Sequence, residues 1–386
     1  MQSQEARRET PSSPEEAGEV MRTAGEEGRR LRMRGGGTKF AWGGPIEPAE
    51  VDLSTERLDS VVEHNKEDLT AVLQAGVPLA RAQEIFSKAN QMVALDPPLG
   101  EGRAATIGGV VATGDSGPLR HRYGAARDLI VGVSFALSDG TVAKAGGKVI
   151  KNVAGYDLAK LFTGSFGTLG LIVEVVMRLH PLARDRVTAV GGSDDPEALG
   201  RAASVIAHSP FGAESLDIAW RDGRGEVMAR FGGAAPDDVA AQVVKLLEAA
   251  GVGAHTRADD DALWERQRGR QRSAHGAVLR VSGLASALPA VLRAAQGVGA
   301  SLVGRAGLGQ SWVTLPDADV GTVVSGIEDL RRRLDPFACV VLDAPLQVRE
   351  KVDVWGQAEG VALMRRVKAR FDPHNVCSPG LFVGGI

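Results

Sequence analysis

Clusters of glycine constrain what this chain can fold into more than any other feature of its sequence. Glycine accounts for 49 of the 386 residues, nearly twice the usual share of about 7%. Most of the clustering lies in three segments, which begin near Arg34, Thr106 and Gly164. Because glycine has no side chain, such segments let a backbone approach another backbone or a ligand closely. The clusters therefore indicate close approach within an ordered fold.

The first segment reads Arg34-Gly35-Gly36-Gly37-Thr38-Lys39 and follows a predicted strand, Leu31 to Arg34. Successive small residues allow backbone N–H groups to converge into a concave nest that binds phosphate oxygens. A mobile turn is the alternative interpretation of the same residues. The spacing to Lys39 excludes a Walker loop, which needs four residues between its first glycine and the Gly-Lys pair.

The second and third segments also place small residues beside each other. The second runs from Pro97-Pro98 to Thr106-Ile107-Gly108-Gly109-Val110-Val111-Ala112-Thr113-Gly114, and it offers a channel for a flat or linear ligand. The third, Gly164 to Ile172, has glycines three residues apart and opens a strand. A Rossmann G-x-G-x-x-G motif opens a helix instead, so a Rossmann fold is rejected.

Two other motifs carry no function here. Gly114-Asp115-Ser116-Gly117-Pro118 matches the nucleophile loop of chymotrypsin-type proteases. Those enzymes need a His and an Asp upstream in an all-β fold, whereas only His64 precedes this motif. The seven His residues include no H-x-x-x-H pair, so the sequence predicts no metal site.

Composition narrows the choice of partners. Lys and Arg number 45 against 48 Asp and Glu, a net charge of −3, which gives no electrostatic reason to bind nucleic acid. The two cysteines, Cys339 and Cys377, are too few to hold an iron–sulfur cluster. Residues 1–14 lack the apolar region of a signal peptide, and no apolar run is long enough to span a membrane. We therefore expect a cytoplasmic protein with no membrane span.

The elements predicted along the chain form two groups. A helix capped by Ser13 comes first, and strands, one helix and a hairpin turning at Ser138-Asp139-Gly140 follow it, which is an α+β pattern. Arg184 to Asp195 reads as a polar boundary. Beyond it, strands and helices alternate in a way that suits one ferredoxin-like unit. A last helix is predicted near Gly360 to Arg370.

Taken in order, the motifs resemble those of the vanillyl-alcohol-oxidase/PCMH flavoprotein family. They are R-G-G-G-T, P-P followed by T-I-G-G-x-x-A-T-G, S-D-G, Y-D-L-x-K-L-F-T-G-S-F-G-T-L-G-L-I, and F-D-P-H-N-V-C-S-P-G. The resemblance implies an α+β fold with a PCMH-type, two-subdomain FAD-binding domain at 13–184. It also implies a ferredoxin-like α+β cap at 185–358, and a C-terminal helix and tail at 359–386 that return to the FAD domain. Residues 1–12 are expected to form a disordered tail.

The run Lys148-Val149-Ile150-Lys151-Asn152-Val153-Ala154-Gly155-Tyr156-Asp157-Leu158 resembles the E subunits of glycolate oxidases. That resemblance implies two partners, a catalytic-type FAD subunit and an iron–sulfur subunit. It also implies a small 2-hydroxy acid, such as glycolate, as the substrate. Membrane association would then come only through the partner subunits.

The resemblance also implies which residues bind the cofactor. Main-chain groups of the first segment would cradle the FAD pyrophosphate, the second segment would line the ribityl and isoalloxazine path, and Ile172 would meet the adenine end. The predicted FAD-binding residues are Arg34, Gly35, Gly36, Gly37, Thr38, Lys39, Pro98, Thr106, Ile107, Gly108, Gly109, Ala112, Thr113, Gly114 and Ile172. No His stands in the first segment, so the FAD is expected to be non-covalent.

Three functions remain open at this point. The first is an FAD-binding subunit of a glycolate oxidase or dehydrogenase complex, and the second is a stand-alone FAD-dependent hydroxy-acid or alcohol dehydrogenase or oxidase. The third is a scaffold without a redox role. The cap lacks the H-G-D-G-N-x-H-type motif with which catalytic relatives orient a hydroxy acid, which favours the subunit. No catalytic residue can be assigned from the sequence.

Overall fold

The N-terminal half consists of two subdomains built on separate sheets. The computed structural model describes residues 6–46, 48–148 and 157–386. The strands of this half are β1 (Arg7–Glu9), β2 (Leu31–Arg34), β3 (Val51–Ser54), β4 (Val61–Asn65), β5 (Thr70–Gln74), β6 (Gln91–Met92), β7 (Ile130–Ala136), β8 (Val142–Gly146), β9 (Leu171–Arg178) and β10 (His180–Pro181). The helices are α1 (Pro14–Glu27), α2 (Leu79–Ser87), α3 (Ile107–Thr113), α4 (Arg120–Tyr123), α5 (Ala126–Leu129) and α6 (Leu158–Phe162).

The first subdomain packs α1 against a parallel sheet with the strand order β1-β3-β2. Ser13 caps α1, since its Oγ accepts a hydrogen bond from the Glu16 N–H at 3.1 Å, as its position before Pro14 predicts. The prediction of a disordered tail over residues 1–12 is wrong for Arg7–Glu9. These residues pair with Val51–Leu53 of β3, because an edge strand can recruit a polar segment through backbone hydrogen bonds alone.

The second subdomain is an antiparallel sheet with the order β4-β5-β9-β7-β8. The predicted hairpin is confirmed, since β7 and β8 pair around Ser138–Gly140. A strand is expected over Gln91 to Leu95, but the observed strand is limited to Gln91–Met92, which pair with β10. One face of this sheet packs on α2, α3 and α6 around Phe86, Phe135 and Phe162. Residues 149–156, which make up most of the Lys148 to Leu158 run, lie outside the described residues.

The cap is built on a single antiparallel sheet of eight strands. Its strands are β11 (Arg186–Ser193), β12 (Ser215–Arg221), β13 (Arg224–Gly232), β14 (Gly253–Arg257), β15 (Ala277–Ser282), β16 (Ser301–Arg305), β17 (Gln310–Leu315) and β18 (Ala338–Asp343). Its helices are α7 (Pro196–Ala207), α8 (Pro236–Ala249), α9 (Asp261–Gly269), α10 (Leu288–Gly297), α11 (Val320–Leu334) and α12 (Leu346–Arg349).

The strand order shows that the cap contains two ferredoxin-like units, where the sequence predicted one. The order is β14-β11-β13-β12-β16-β17-β15-β18. Each unit therefore has the βαββαβ connectivity with its first and third strands at the centre, and β12 pairs with β16 to join the units. The segment predicted as a polar boundary, Arg184 to Asp195, contains β11. It reads as a loop because Gly191 lies where a Cβ would come within 2.8 Å of Val252.

The two faces of the cap sheet differ sharply. Helices α7, α8, α10 and α11 cover one face and form the largest apolar core. The other face is turned toward the N-terminal half and carries a mixture of aromatic and charged side chains. Trp42, from the N-terminal half, packs there against Val278, Trp312 and Leu342. This second face positions the site described below.

The C-terminal segment returns to the first half, as the resemblance implies. Helix α13 (Val361–Phe371) places the Lys368 ammonium within hydrogen-bonding distance of the carbonyl oxygens of Thr168 and Cys377, at 2.8 Å each. The Leu31 N–H of β2 then donates to the Val376 carbonyl at 2.7 Å. Within the described residues, no helix has both the length and the apolar character needed to cross a bilayer.

Candidate functional site

A glycine-lined cleft lies in the N-terminal half, where the three glycine-rich segments meet. It encloses about 870 Å³ between its walls, including the solvent-open mouth. All of its lining residues belong to the N-terminal half or to the C-terminal segment. The cap therefore contributes nothing directly to its walls.

The first glycine-rich segment forms one wall of the cleft with main-chain groups. The N–H groups of residues 35–39 make no hydrogen bond to the protein within the described ranges. Buried or half-buried N–H groups normally have partners, so this run of free donors indicates an anionic ligand. The Arg34 guanidinium is held away by Asp52, at 2.9 Å, and the Lys39 ammonium by Asp115, at 3.1 Å. The donors facing the cleft are consequently backbone amides.

The glycines of this segment are required by protein contacts. A Cβ on Gly36 would lie 1.7 Å from the carbonyl oxygen of Ala104, and a Cβ on Gly35 would lie 2.3 Å from Thr106 Oγ1. The first segment thus packs directly on the start of the second. Gly37 has a φ of +71°, which a residue with a side chain rarely adopts. The free amides are aligned because the loop closes this tightly.

The second segment forms a helix, α3, which the sequence analysis did not predict. Thr106 caps it, its Oγ1 accepting from the Gly109 N–H at 3.2 Å, and Gly114 ends it with a φ of +61°. A Cβ on Gly108 would lie 2.5 Å from the Ala75 Cβ. Gly108, Gly109, Ala112 and Thr113 face the cleft on this helix, so small side chains keep it open.

The third segment closes the far side of the cleft. The Phe166 N–H donates to the Ala112 carbonyl oxygen at 2.8 Å, which ties this turn to the end of α3. The Phe166 ring makes an edge contact with Trp355 at 5.1 Å between centroids, and it lies 5.7 Å from Phe382. Segments from three parts of the chain therefore fix one wall.

The structure brings together twelve of the fifteen predicted binding residues. Those that line the cleft are Arg34, Gly35, Gly36, Gly37, Thr38, Lys39, Thr106, Gly108, Gly109, Ala112, Thr113 and Ile172. Three lie outside it. Pro98 is buried, Ile107 belongs to the apolar core, and Gly114 is the C-terminal cap of α3.

Several lining residues were missed by the sequence analysis, among them Trp42, Phe166, Gly170 and Leu381. Phe166 and Gly170 lie inside the third segment, so the glycine spacing was a usable signal for them. No pattern in the sequence links Leu381 to residues more than 200 positions away. Its place follows from the return of the C-terminal segment.

A second polar site lies between this cleft and the charged face of the cap sheet. We call it the interface cluster and define it as Asp115, Asp217, Arg280, Arg305 and Gln310. Arg305 Nη1 lies 2.6 Å from Asp217 Oδ2, and both side chains are fully buried. Arg305 Nη2 donates to Gln271, whose amide in turn donates to the Ser116 carbonyl oxygen at 3.0 Å. The cluster therefore connects the cap to the segment that follows α3.

Unpaired polar atoms concentrate in the interface cluster. Buried atoms without a hydrogen-bond partner include Arg280 Nε, Arg305 Nε, Asp217 Oδ1 and Gln310 Oε1. Such atoms are uncommon in folded proteins, and each calls for an explanation such as a bound ligand or water. Burial raises the pKa of the Asp217 carboxyl to about 6, although the Arg305 guanidinium opposes the shift.

Arg280 is the least compensated charge in the cluster. Alternation along β15 turns it to the same face as Val278, which contacts Trp42. No carboxylate forms a salt bridge with it within the described residues. Burial lowers the pKa of its guanidinium, and the nearby charge of Asp115 only partly offsets this. A partly buried, unpaired guanidinium is a strong binding group for a carboxylate or phosphate.

One histidine lies at the same interface. Nδ1 of His121 is buried without a hydrogen-bond partner, and a Cβ on Gly307, just beyond β16, would lie 3.0 Å from it. Burial lowers the pKa of the His121 imidazole, so the neutral ring can accept a proton. Within the described ranges, no three His, Cys, Asp or Glu residues are grouped so that they could hold a metal ion.

Comparison with protein families identifies the domains. Residues 8–146 match the family model described as "FAD binding domain", and residues 351–381 match "FAD linked oxidases, C-terminal domain". The first match contains the first and second glycine-rich segments, and the second contains Lys368 and Leu381. Both matched regions thus line or support the cleft.

Curated relatives match about half of the chain. Glycolate oxidase subunit GlcE of Escherichia coli is 35% identical over 154 residues, which cover 40% of this chain and 43% of that protein. D-lactate dehydrogenase of Archaeoglobus fulgidus is 34% identical over 175 residues, or 45% of this chain and 39% of that protein. Glycolate oxidase subunit GlcD of Bacillus subtilis is 29% identical over 197 residues, or 51% and 41%. The matches span less than half the length of these relatives.

Solved structures extend the likeness to the cap. An alkyldihydroxyacetonephosphate synthase superposes with a TM-score of 0.71 at 17% identity, over 96% of this chain and 76% of that one. Physcomitrella patens BBE-like 1 superposes with a TM-score of 0.67 at 14% identity, over 96% and 89%. At this identity the likeness shows the fold alone.

The cleft also fits the cofactor of this family. A run of free amides suits phosphate oxygens, and the small side chains of α3 leave room for a flat group beside the helix. The motifs, the matched domains and the cleft agree with one another. Residues 8–146 therefore form an FAD-binding domain similar to those of the vanillyl-alcohol-oxidase/PCMH family, residues 351–381 match the C-terminal domain of FAD-linked oxidases, and FAD is the cofactor.

Proposed function

We propose that this chain is an FAD-dependent oxidoreductase acting on the CH–OH group of a small 2-hydroxy acid such as glycolate. The observation that carries this proposal is the unpaired Arg280 guanidinium beside the FAD domain. The names of the relatives, glycolate oxidase subunits and D-lactate dehydrogenase, support the same substrate class. We further propose that residues 13–184 form the FAD domain, 185–358 the cap, and 359–386 the returning segment.

The FAD is held by main-chain groups of the first segment and by the small residues of α3, without a covalent bond. When bound, FAD supplies a two-electron acceptor that can also pass on electrons singly. The described residues that line the cleft include no His, the side chain that members of this family with covalent flavin place in the first segment. Pro98, Ile107 and Gly114 support the binding residues from behind.

The interface cluster and His121 share two tasks in this proposal. Arg280, in the cluster, binds the substrate carboxylate through charge-assisted hydrogen bonds. His121 accepts the hydroxyl proton, since its lowered pKa keeps the ring neutral. Oxidation of a 2-hydroxy acid to a 2-oxo acid removes two electrons and two protons, and one of these protons comes from the hydroxyl group.

We propose that the chain works as a subunit, with a catalytic-type FAD subunit and an iron–sulfur subunit as partners. Similarity to GlcE supports this arrangement. The two cysteines, Cys339 and Cys377, are both buried and too few to ligate a cluster, so electrons would leave through another protein. A stand-alone dehydrogenase is the second candidate. Arg280 and His121 favour it, because together they would make a self-sufficient site.

One experiment separates the two candidates. The chain is purified alone and with its co-purifying partners, loaded with FAD, and assayed for dye reduction by glycolate and by D-lactate. We expect slow turnover from the chain alone and turnover on the order of 1–10³ per second from the complex. Rates in that range from the isolated chain would establish the stand-alone enzyme instead. Acid precipitation of the same preparation should release all of its flavin.

A further inference from the structure

The cap contacts the first glycine-rich segment and the residues after it, here called the FAD-binding loop (residues 34–42), through one buried carboxylate. This is Asp343, at the end of β18. Asp343 Oδ1 accepts a hydrogen bond from Trp42 Nε1 at 2.9 Å. Both Asp343 oxygens also bind the Arg272 guanidinium, at 2.5 and 2.9 Å. Trp42 is 2% exposed and Asp343 is 5% exposed. Solvent therefore screens these contacts weakly.

Arg272 makes a further contact that reaches the glycine-rich segment itself. Its Nη1 donates to the carbonyl oxygen of Thr38 at 3.0 Å, and its guanidinium lies 5.2 Å from the centre of the Trp42 ring. Arg272 thus bonds to an acid of the cap and to the backbone of the FAD-binding loop at once. We call Asp343, Arg272 and Trp42 the latch.

Two residues of the latch affect the cleft only indirectly, through their contacts with residues that line it. Thr38 and Trp42 line the cleft, whereas Asp343 and Arg272 do not. The Trp42 ring is also packed among Val278, Val303 and Trp312 of the cap sheet. The loop that carries the free amides is therefore in direct contact with the docked cap.

A second cluster of the same composition occurs elsewhere in the cap. Arg230 binds Asp260 through Nε and Nη2, at 3.1 and 2.6 Å. Asp260 accepts from the Thr188 hydroxyl at 2.6 Å, and Trp264 Nε1 donates to that hydroxyl at 2.8 Å. All four residues belong to the cap. This cluster provides a matched control, because it is similarly buried and makes none of these contacts with the FAD-binding loop.

We propose that Asp343 and Arg272 are positioning residues for FAD, so that cofactor binding and docking of the cap form one coupled equilibrium. Coupling of this kind is reciprocal: docking tightens FAD binding, and FAD binding stabilises the docked cap to the same extent. The proposal rests on FAD being the cofactor of this cleft. It does not depend on the substrate or on the partner subunits proposed above.

The test compares FAD affinity in two variants of the latch and one control variant of the second cluster. Asp343→Asn keeps the shape and an oxygen acceptor for Trp42, but it removes the charge that faces Arg272. Arg272→Lys keeps the charge and loses the two-pronged geometry. Titration of the apoprotein with FAD should show a Kd raised about ten- to a hundredfold in both, since a charged hydrogen-bond pair is lost. Asp260→Asn should change the Kd by less than about twofold, a shift small against the tenfold that corresponds to about 1.4 kcal/mol.

Hydrogen exchange gives a readout that a merely structural role would not move. In the unaltered chain, FAD should slow exchange of the β18 amides, which lie outside the cleft. In Asp343→Asn the same amides should no longer respond to FAD. If Asp343→Asn folds poorly, Trp42→Phe removes the indole N–H together with part of the ring, and it should raise the Kd a few-fold.

The outcomes separate failure of the latch from failure of the functional proposal. An unchanged Kd in Asp343→Asn, or an equal rise in Asp260→Asn, overturns the latch. Absence of FAD binding by the unaltered chain would overturn the cofactor assignment itself. Loss of activity with glycolate bears on neither measurement.

Discussion

The glycine-lined cleft and the interface cluster lie side by side, but they offer different chemical groups to a ligand. The cleft offers backbone amides, and the charged side chains at its rim, Arg34 and Lys39, are already paired with Asp52 and Asp115. The interface cluster offers side chains, and Arg280 and Arg305 keep unpaired nitrogen atoms. Close packing fixes the geometry of the cleft, whereas the interface cluster contains charged groups that the protein does not fully pair.

This difference suits two kinds of ligand. A cofactor that stays bound needs a rigid, shape-determined site, and free amides supply it without the conformational freedom of long side chains. A substrate that comes and goes needs an electrostatic anchor of moderate strength. The two sites should therefore respond differently to substitution, and three predictions test that separation.

The largest effect is expected for Gly36→Val. The new Cβ would meet the Ala104 carbonyl oxygen at 1.7 Å, so the first segment could not close on the second and its amides would lose their alignment. FAD affinity, measured by titration of the apoprotein, should fall more than about a hundredfold. Gly253→Val is the control, because a Cβ at this exposed position of β14 in the cap would meet no atom within 4 Å. Normal FAD binding by Gly36→Val would show that loop closure does not determine affinity.

A smaller and more selective effect is expected for Arg280→Met. This change keeps an unbranched side chain of similar length and removes the charge. The KM for a 2-hydroxy acid should rise about ten- to a hundredfold, while the Kd for FAD stays within about twofold. Arg270→Met, at an exposed arginine beyond α9, should alter neither value. If Arg280→Met weakened FAD binding and left KM unchanged, the assignment of the two sites would have to be exchanged.

The smallest effect concerns pH. Burial raises the pKa of the Asp96 carboxyl to about 6, and Arg268 only partly opposes the shift because its nearest nitrogen is 3.7 Å away. The folded state therefore binds a proton more readily than the unfolded state, in which the pKa is about 4. Stability should fall as the pH rises from about 4 to about 6, by an amount on the order of 1 kcal/mol. Asp96→Asn should reduce this slope in denaturant titrations and leave the share of Asp217, whose carboxyl pKa burial also raises to about 6, whereas Asp59→Asn, at an exposed ion pair, should leave the slope unchanged.

The contrast between the sites also explains how far sequence reasoning could reach. The cleft is encoded in short runs of small residues, so twelve of its lining residues could be predicted from local motifs. The interface cluster brings together Asp217 on β12, Arg305 on β16 and Arg280 on β15. Each is an ordinary charged residue in its own segment. Their meeting depends on the register of an eight-stranded sheet, which no local pattern reveals.

In the cap, too, local sequence patterns predict some elements of the fold and miss others. Helix α11 is strongly encoded in its own segment, because its apolar spacing is regular and Asp319 caps it. Strand β11 was not predicted, since Gly191 and Gly192 resemble a turn when read alone. Gly191 is small because Leu247 and Val252 pack over it. The second ferredoxin-like unit follows from the pairing of β12 with β16, which no local pattern in the sequence indicates.

The return of the C-terminal segment has a consequence for how the protein is made. Leu381 lines the cleft, and the Val376 and Ser378 backbone groups bond to Leu31 at the base of the first glycine-rich segment. During synthesis, the cleft of the N-terminal half therefore lacks part of its lining until residue 381 has left the ribosome. We therefore expect FAD to bind tightly only after this returning segment has been synthesised and has packed against β2.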